Sequence, residues 1–209
     1  MHDSQQRLLT CFLRSLSDSA DRTGVEAAGR FWHVPTELAD ASRNRRSAQA
    51  IDAAVRDYAN RALGVRLLFQ PHELAWLRRA FLTGDYEGHP NPDREPAERM
   101  AVSLVVRSAL MGAHDLALRH GVLYACLRYA LPYSFMKTLT ALPCEQINDV
   151  ALRYALSMNI GLRFTRAEQT WLCAALRDSQ EIPDLSRNDD GNRLAGLIQS
   201  IVSAGGIRL

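Results

Sequence analysis

Two stretches decide how this chain folds: Phe69-Gln-Pro-His-Glu73-Leu-Ala-Trp76-Leu77-Arg-Arg-Ala80 and Phe164-Thr-Arg-Ala-Glu168-Gln-Thr-Trp171-Leu172-Cys-Ala-Ala175. They match at a constant offset of 95 residues. Upstream, Ile51, Tyr58 and Ala59 match Ile147, Tyr154 and Ala155 at an offset of 96. Gly24, Val25, Ala28 and Pro35 match Gly121, Val122, Ala125 and Pro132 at 97, and Arg14-Ser15 matches Arg107-Ser108 at 93. Four blocks that keep their order and nearly their spacing are the mark of a tandem duplication.

The boundary between the copies follows from composition. Gly84, Gly88, Pro90, Pro92 and Pro96 crowd residues 83–98, and such residues interrupt both helix and strand. The expected organisation is a first repeat over 1–82, a linker over 83–98, a second repeat over 99–182 and a C-terminal extension over 183–209. That extension carries Pro183 and Asp189-Asp190-Gly191 before a short apolar segment from Leu194 to Val202.

Every element that can be assigned is helical, so the expected fold class is all-α. Leu8, Leu9, Phe12, Leu13 and Leu16 recur at the spacing of one helix face, and Val102, Val105, Val106, Ala109 and Leu110 do the same in the second copy. Thr165 with Glu168 three residues on forms a capping box. Pro71 fits a first helical turn before Glu73, and Pro143 fits one before Ile147. Residues 64–69 and 160–164 read as short extended links. About four helices per repeat are expected, with the two apolar first helices at a shared interface.

The 209 residues are 47% hydrophobic and 23% charged, an ordinary globular balance. A net charge of +2 is too small to imply a polyanion partner by itself. Lys137 is the one lysine among 25 basic residues. A GC-rich coding bias explains that, as does a need for arginine forks on phosphate or carboxylate. Cys11, Cys126, Cys144 and Cys173 stand far apart among apolar neighbours and read as free buried thiols. Apolar runs fall short of the roughly 18 residues of a membrane span, and the N-terminus lacks a signal-peptide layout. A reduced, cytoplasmic protein with no membrane association is expected.

The second copy contains Cys126-Leu-Arg-Tyr-Ala-Leu-Pro-Tyr-Ser-Phe-Met136-Lys-Thr-Leu139-Thr-Ala141-Leu142-Pro-Cys-Glu-Gln146-Ile147, and later Gly161-Leu-Arg163-Phe164. This pattern resembles FlhD, the small all-helical subunit of the bacterial flagellar master transcriptional activator. Met136, Leu139, Ala141, Leu142, Gln146, Arg163 and Phe164 occupy the family's motif positions. The resemblance covers residues 107–178 and reaches the first copy through the repeat, at Phe31, Pro35, Leu38, Ala39, Ile51 and Phe69. It implies a homodimeric fold that acts with a zinc-containing partner, FlhC, on promoter DNA. The chain departs from the family in being duplicated. It also has Ile160 and Gly161 where the family carries a cysteine before the Arg-Phe pair. A fused pair makes the dimer intramolecular, which removes the concentration dependence of pairing and lets the halves diverge.

Trp76, Trp171, Tyr58 and Tyr154 read as packing residues, with base stacking as the alternative for the tryptophans. Arg43, Arg45 and Arg46 precede a helix that Ser47 can cap, a favourable place for phosphate. The alternative is a solvated loop. Arg78, Arg79, Arg163 and Arg166 are weaker candidates of the same kind, equally suited to an acidic partner surface. His2, His33, His72, His89, His114 and His120 show no metal-ligand spacing, and no phosphate loop or nucleophile elbow is present. Neither an enzyme nor a cofactor is expected.

Two readings follow. One is a transcriptional regulator subunit, a fused FlhD-like pseudo-dimer that binds double-stranded promoter DNA together with an FlhC-like partner. The other is a helical adaptor that acts through protein–protein contacts only. The low net charge leans toward the second, the arginines and the resemblance toward the first. In either case the pseudo-dimer is a candidate for further homo-oligomerisation.

Overall fold

The computed structural model describes residues 3–43, 47–61, 65–86 and 94–177. Arg45, Arg46, the middle of the linker and the C-terminal extension lie outside the described residues. Helix α1 spans Asp3–Thr23, α2 Val25–Trp32, α3 Thr36–Ser42, α4 Ser47–Arg61 and α5 Pro71–Thr83, with strand β1 at Arg66–Leu68 before α5. The second series is α6 Pro96–His120, α7 Val122–Tyr129, α8 Tyr133–Thr140, α9 Cys144–Ser157, strand β2 Gly161–Arg163 and α10 Arg166–Leu176. The chain is mostly helical, as its apolar spacing predicts.

Among the described residues each series has five helices rather than four. The additional ones, α3 and α8, start after Pro35 and Pro132, which supply extended backbone at the N-cap. At seven and eight residues they are too short to display a helical period. The extended links are strands: β1 and β2 pair antiparallel, with Leu67 opposite Leu162 and Arg66 opposite Arg163. Pro96, assigned to the linker, is instead in the first turn of α6, where its missing N–H costs nothing. Pro143 sits one residue before α9, as its N-cap.

The two longest helices, α1 and α6, pack on each other at the centre. Leu8, Phe12, Leu13 and Leu16 on α1 and Val102, Val105, Val106, Ala109 and Leu110 on α6 are wholly buried. Burial of each such side chain contributes about 1.5–3 kcal/mol. Around this pair, α2, α3 and α4 pack on α1, while α7, α8 and α9 pack on α6. The last helix of each series crosses over: α5 packs on α8 and α9, and α10 on α3 and α4.

Gly24 and Gly121 join α1 to α2 and α6 to α7 with φ of 87° and 92°, a backbone that only glycine adopts without strain. Gly112 meets a different demand. A Cβ there would lie 2.6 Å from the hydroxyl of buried Tyr129 and 3.3 Å from Cβ of Ser4, so its lack of a side chain lets α6 approach α7 and α1. By length and composition α6 is apolar enough to cross a membrane. Most of its apolar residues are nonetheless buried against α1, α7, α8 and α9, while Met100, Leu104 and Leu118 are exposed.

Candidate functional site

The crossing-over helices build two matching pockets. In one, Tyr58 of α4 lies against Phe164 and Trp171 at ring-centroid distances of 6.2 and 6.1 Å. Its hydroxyl donates to Glu168 Oε1 at 2.9 Å. In the other, Tyr154 of α9 lies against Phe69 and Trp76 at 5.9 and 6.0 Å, with Glu73 beside its hydroxyl. All four tryptophan and tyrosine side chains are buried, so they serve packing rather than an exposed stacking platform. Glu73 and Glu168 each close a capping box on their own helix, accepting from the N–H of Gln70 and Thr165 at 2.6 Å.

The pockets differ in their charges. Glu168 is ion-paired with Arg66 of β1 at 2.9 Å. The position matching Arg66 in the second strand is Gly161, so Glu73 has no such arginine. Burial pushes the Glu73 carboxyl above the usual carboxylate range, opposed by its backbone hydrogen bond from Gln70 and by His72 and His33. The Tyr154 hydroxyl donates to the Asn159 carbonyl at 2.6 Å, and burial raises its pKa. Arg94, at the end of the linker, is buried and donates to the carbonyls of Ala155 and Met158 at 2.8 and 2.9 Å. It also bonds Asn159 Oδ1. A cation over the last carbonyls of α9 complements that helix end. Nothing in its Gly/Pro-rich surroundings marked Arg94 in the sequence.

The predicted arginines do not form one patch. Arg43 is exposed at the C-terminal end of α3 and donates to Asp21 at 2.9 Å. Arg78 and Arg79 are exposed on α5, where Arg79 pairs with Asp85 at 3.4 Å. Arg163 and Arg166 are different. Both are exposed. An open groove of about 680 Å³ is lined by Glu26, Arg30, His33, Thr36 and, from α10, Gln169. Gln169 lies one turn beyond Arg166 on α10. Arg163 shares a strand face with Gly161, whose missing Cβ faces the Trp32 carbonyl and His33. Arg30 and His33 thus line this groove, while Arg166 and Arg163 belong to α10 and to β2, the segments that supply Gln169 and Gly161 beside it. Arg30 and His33 carried no sequence signal of this, because they meet α10 only through the tertiary fold. His33 sits just past α2 in a left-handed conformation, with φ of 54°, that turns it outward from the helix end.

At the matching positions of the other half stand Leu127, Ala130, Leu68 and Pro71, so these four charged or titratable side chains have no counterparts there. Among the described residues no group of three or more His, Cys, Asp or Glu is arranged to hold a metal. The four cysteines are free. Cys126 is buried and pushed up to about 11 by desolvation, but Cys144 is exposed, contrary to the expectation of burial, because it begins α9 on the solvent side. Comparison with known proteins finds no match: no family description, curated protein or solved structure aligns with this chain.

Proposed function

We propose that this chain is a non-catalytic transcriptional regulator subunit, two FlhD-like repeats fused into a pseudo-two-fold dimer, that binds promoter DNA together with an FlhC-like partner in the cytoplasm. The observation that carries the reading is the reciprocal exchange of last helices. Helix α5 packs on α8 and α9 as α10 packs on α3 and α4, and Tyr58 and Tyr154 enter matching pockets. A ladder in which Leu67 stands opposite Leu162 supports a pseudo-two-fold relation between the strands. Such intertwining is what a homodimer leaves behind when its subunits are joined end to end.

Within this reading Arg163, Arg166, Arg30 and His33 supply the chain's own phosphate contacts. Arg43 and Arg79 already hold carboxylates and contribute less, and Arg30 faces Glu26 at 3.9 Å, so Arg163 and Arg166 carry most of the contact. A net charge of +2 leaves most of the DNA contact to the partner. The scatter of the remaining arginines favours the second reading, an adaptor that touches protein only.

The test is co-purification from the native host, followed by a salt titration of promoter binding by the recovered complex. Arg163→Ala with Arg166→Ala should weaken binding alike on all sequences and flatten its salt dependence by about one to two units of slope. Replacing Arg43, Arg45 and Arg46 by alanine should do less. A complex without DNA affinity, or one indifferent to Arg163 and Arg166, would establish the adaptor.

A further inference from the structure

The large apolar side chains left exposed among the described residues are unevenly shared between the halves. Met100, Leu104, Leu118, Leu123, Leu152 and Leu156 belong to the second series, and Leu82 stands on α5, which packs on that series. Four of them form one face. Met100, Leu152 and Leu156 line a groove of about 450 Å³ between α6 and α9, and Leu104 follows Met100 one turn along α6. In that order they are 59%, 56%, 40% and 43% exposed. The matching residues of the first half are Arg7, Arg56, Asn60 and Cys11, so duplication does not account for the face.

The charges around it are arranged by end. Helices α6 and α9 pack antiparallel, because Arg94, two residues before α6, donates to the Ala155 and Met158 carbonyls at the end of α9. Arg99 and Arg153 therefore lie toward the end where α6 starts, with Glu95 and Glu98. Asp149, Glu145 and Arg107 lie toward the other end. Asp149 and Arg153 are one turn apart on α9, yet among the described residues neither is in an ion pair, and the Arg153 guanidinium lies over the Tyr86 ring at 4.2 Å.

From this order of charges about an apolar centre we infer that two copies of the chain associate through the α6–α9 face, about a two-fold axis near Leu152. A two-fold contact sets each end of the face against the opposite end of its copy. Arg99 and Arg153 then meet Asp149 and Glu145, Arg107 meets Glu95 and Glu98, and the four apolar side chains meet their own counterparts. Each chain bears the face once, so association closes at two copies. Four apolar side chains a side are few beside the roughly 20–30 residues of a standard interface, which makes the dimer reversible and concentration-dependent. The inference does not rest on the regulator reading.

Sedimentation equilibrium of the full-length chain from about 1 to about 200 µM tests it. The mass should rise from one copy to two and stop there. Met100→Ser with Leu152→Ser should weaken association at least about tenfold while the far-UV spectrum stays that of the wild type. Asp149→Arg and Arg153→Asp should each weaken it by a similar factor, because each sets like charges opposite one another. Mixing those two variants should restore a dimer within about threefold of the wild-type affinity, since both cross-pairs are then of opposite sign. A chain that stays single up to about 200 µM would overturn the inference, as would growth beyond two copies. So would a dimer indifferent to these substitutions, or charge variants that do not pair with each other.

Discussion

Gly112→Ala tests the close approach of α6 to α7 and α1. In an exposed helix this change stabilises by about 1 kcal/mol through propensity alone. Here the new methyl would lie 2.6 Å from the Tyr129 hydroxyl, inside the 3.0 Å that real Cβ contacts respect. Tyr129 is fully buried and cannot swing away, so the overlap costs about 1–3 kcal/mol. The net expectation is a loss of up to about 2 kcal/mol, after the propensity gain is subtracted. Tyr129→Phe removes the offending oxygen, leaving ring Cζ at an ordinary 3.5 Å and Ser4 Cβ at 3.3 Å. In that background Gly112→Ala should be neutral or stabilising by up to about 1 kcal/mol. Urea denaturation followed by far-UV circular dichroism, on wild type, both single variants and the double variant, gives the coupling energy. A coupling below about 0.5 kcal/mol would refute the steric account, since independent sites add to within that margin.

Arg66→Met should cost about 3–5 kcal/mol at neutral pH by stranding the Glu168 charge, and adding Glu168→Gln should recover most of it in calorimetry. Glu73, with its folded-state pKa raised above the usual 4.5, binds its proton more tightly in the folded chain. It thus favours folding below that value and loses this contribution as pH rises through the raised pKa. Glu73→Gln keeps an acceptor for the capping box, so its stability relative to wild type should grow across that window in denaturant titrations; parallel curves would exclude the effect. In a thiol-modification time course Cys144 should react first, whereas Cys126, buried and pushed up to about 11, should wait for unfolding. Early modification of Cys126 would contradict the packing of α7.

The long helices were legible because a buried stripe repeats every three to four residues, and α1 and α6 run through several turns of it. Thr165 and Glu168 announced their capping box for the same reason: the partners lie within one turn. What escaped reading is non-local. Helices α3 and α8 end before a period develops. The three-residue strands have meaning only against each other, a pairing that spans almost half the chain. Periodicity reports that a face is buried, not which helix covers it, so the exchange of α5 and α10 had no local trace. The basic groove illustrates this best. Arg163 and Arg166 were visible as charges near a helix start, but Arg30 and His33 share a groove with Gln169 of α10 only through the tertiary fold. Arg43, which looked equally promising in the sequence, faces an aspartate from a different helix.

The crossing of α10 onto α3 and α4 also governs how this protein emerges from a ribosome. The pocket around Tyr58 is closed by Phe164 and Trp171, more than a hundred residues later. At about 5–20 residues per second, that interval lasts roughly 6–20 s, during which the first half has been made but its aromatic cover has not. Co-translational, half-by-half maturation is therefore closed to this chain. Its first repeat must wait, apolar surface uncovered, in reach of chaperones or of the same repeat on a neighbouring nascent chain. Exchange of α10 between two such neighbours would reproduce every native contact across two polypeptides, so a small domain-swapped dimer fraction is the characteristic misassembly this topology invites.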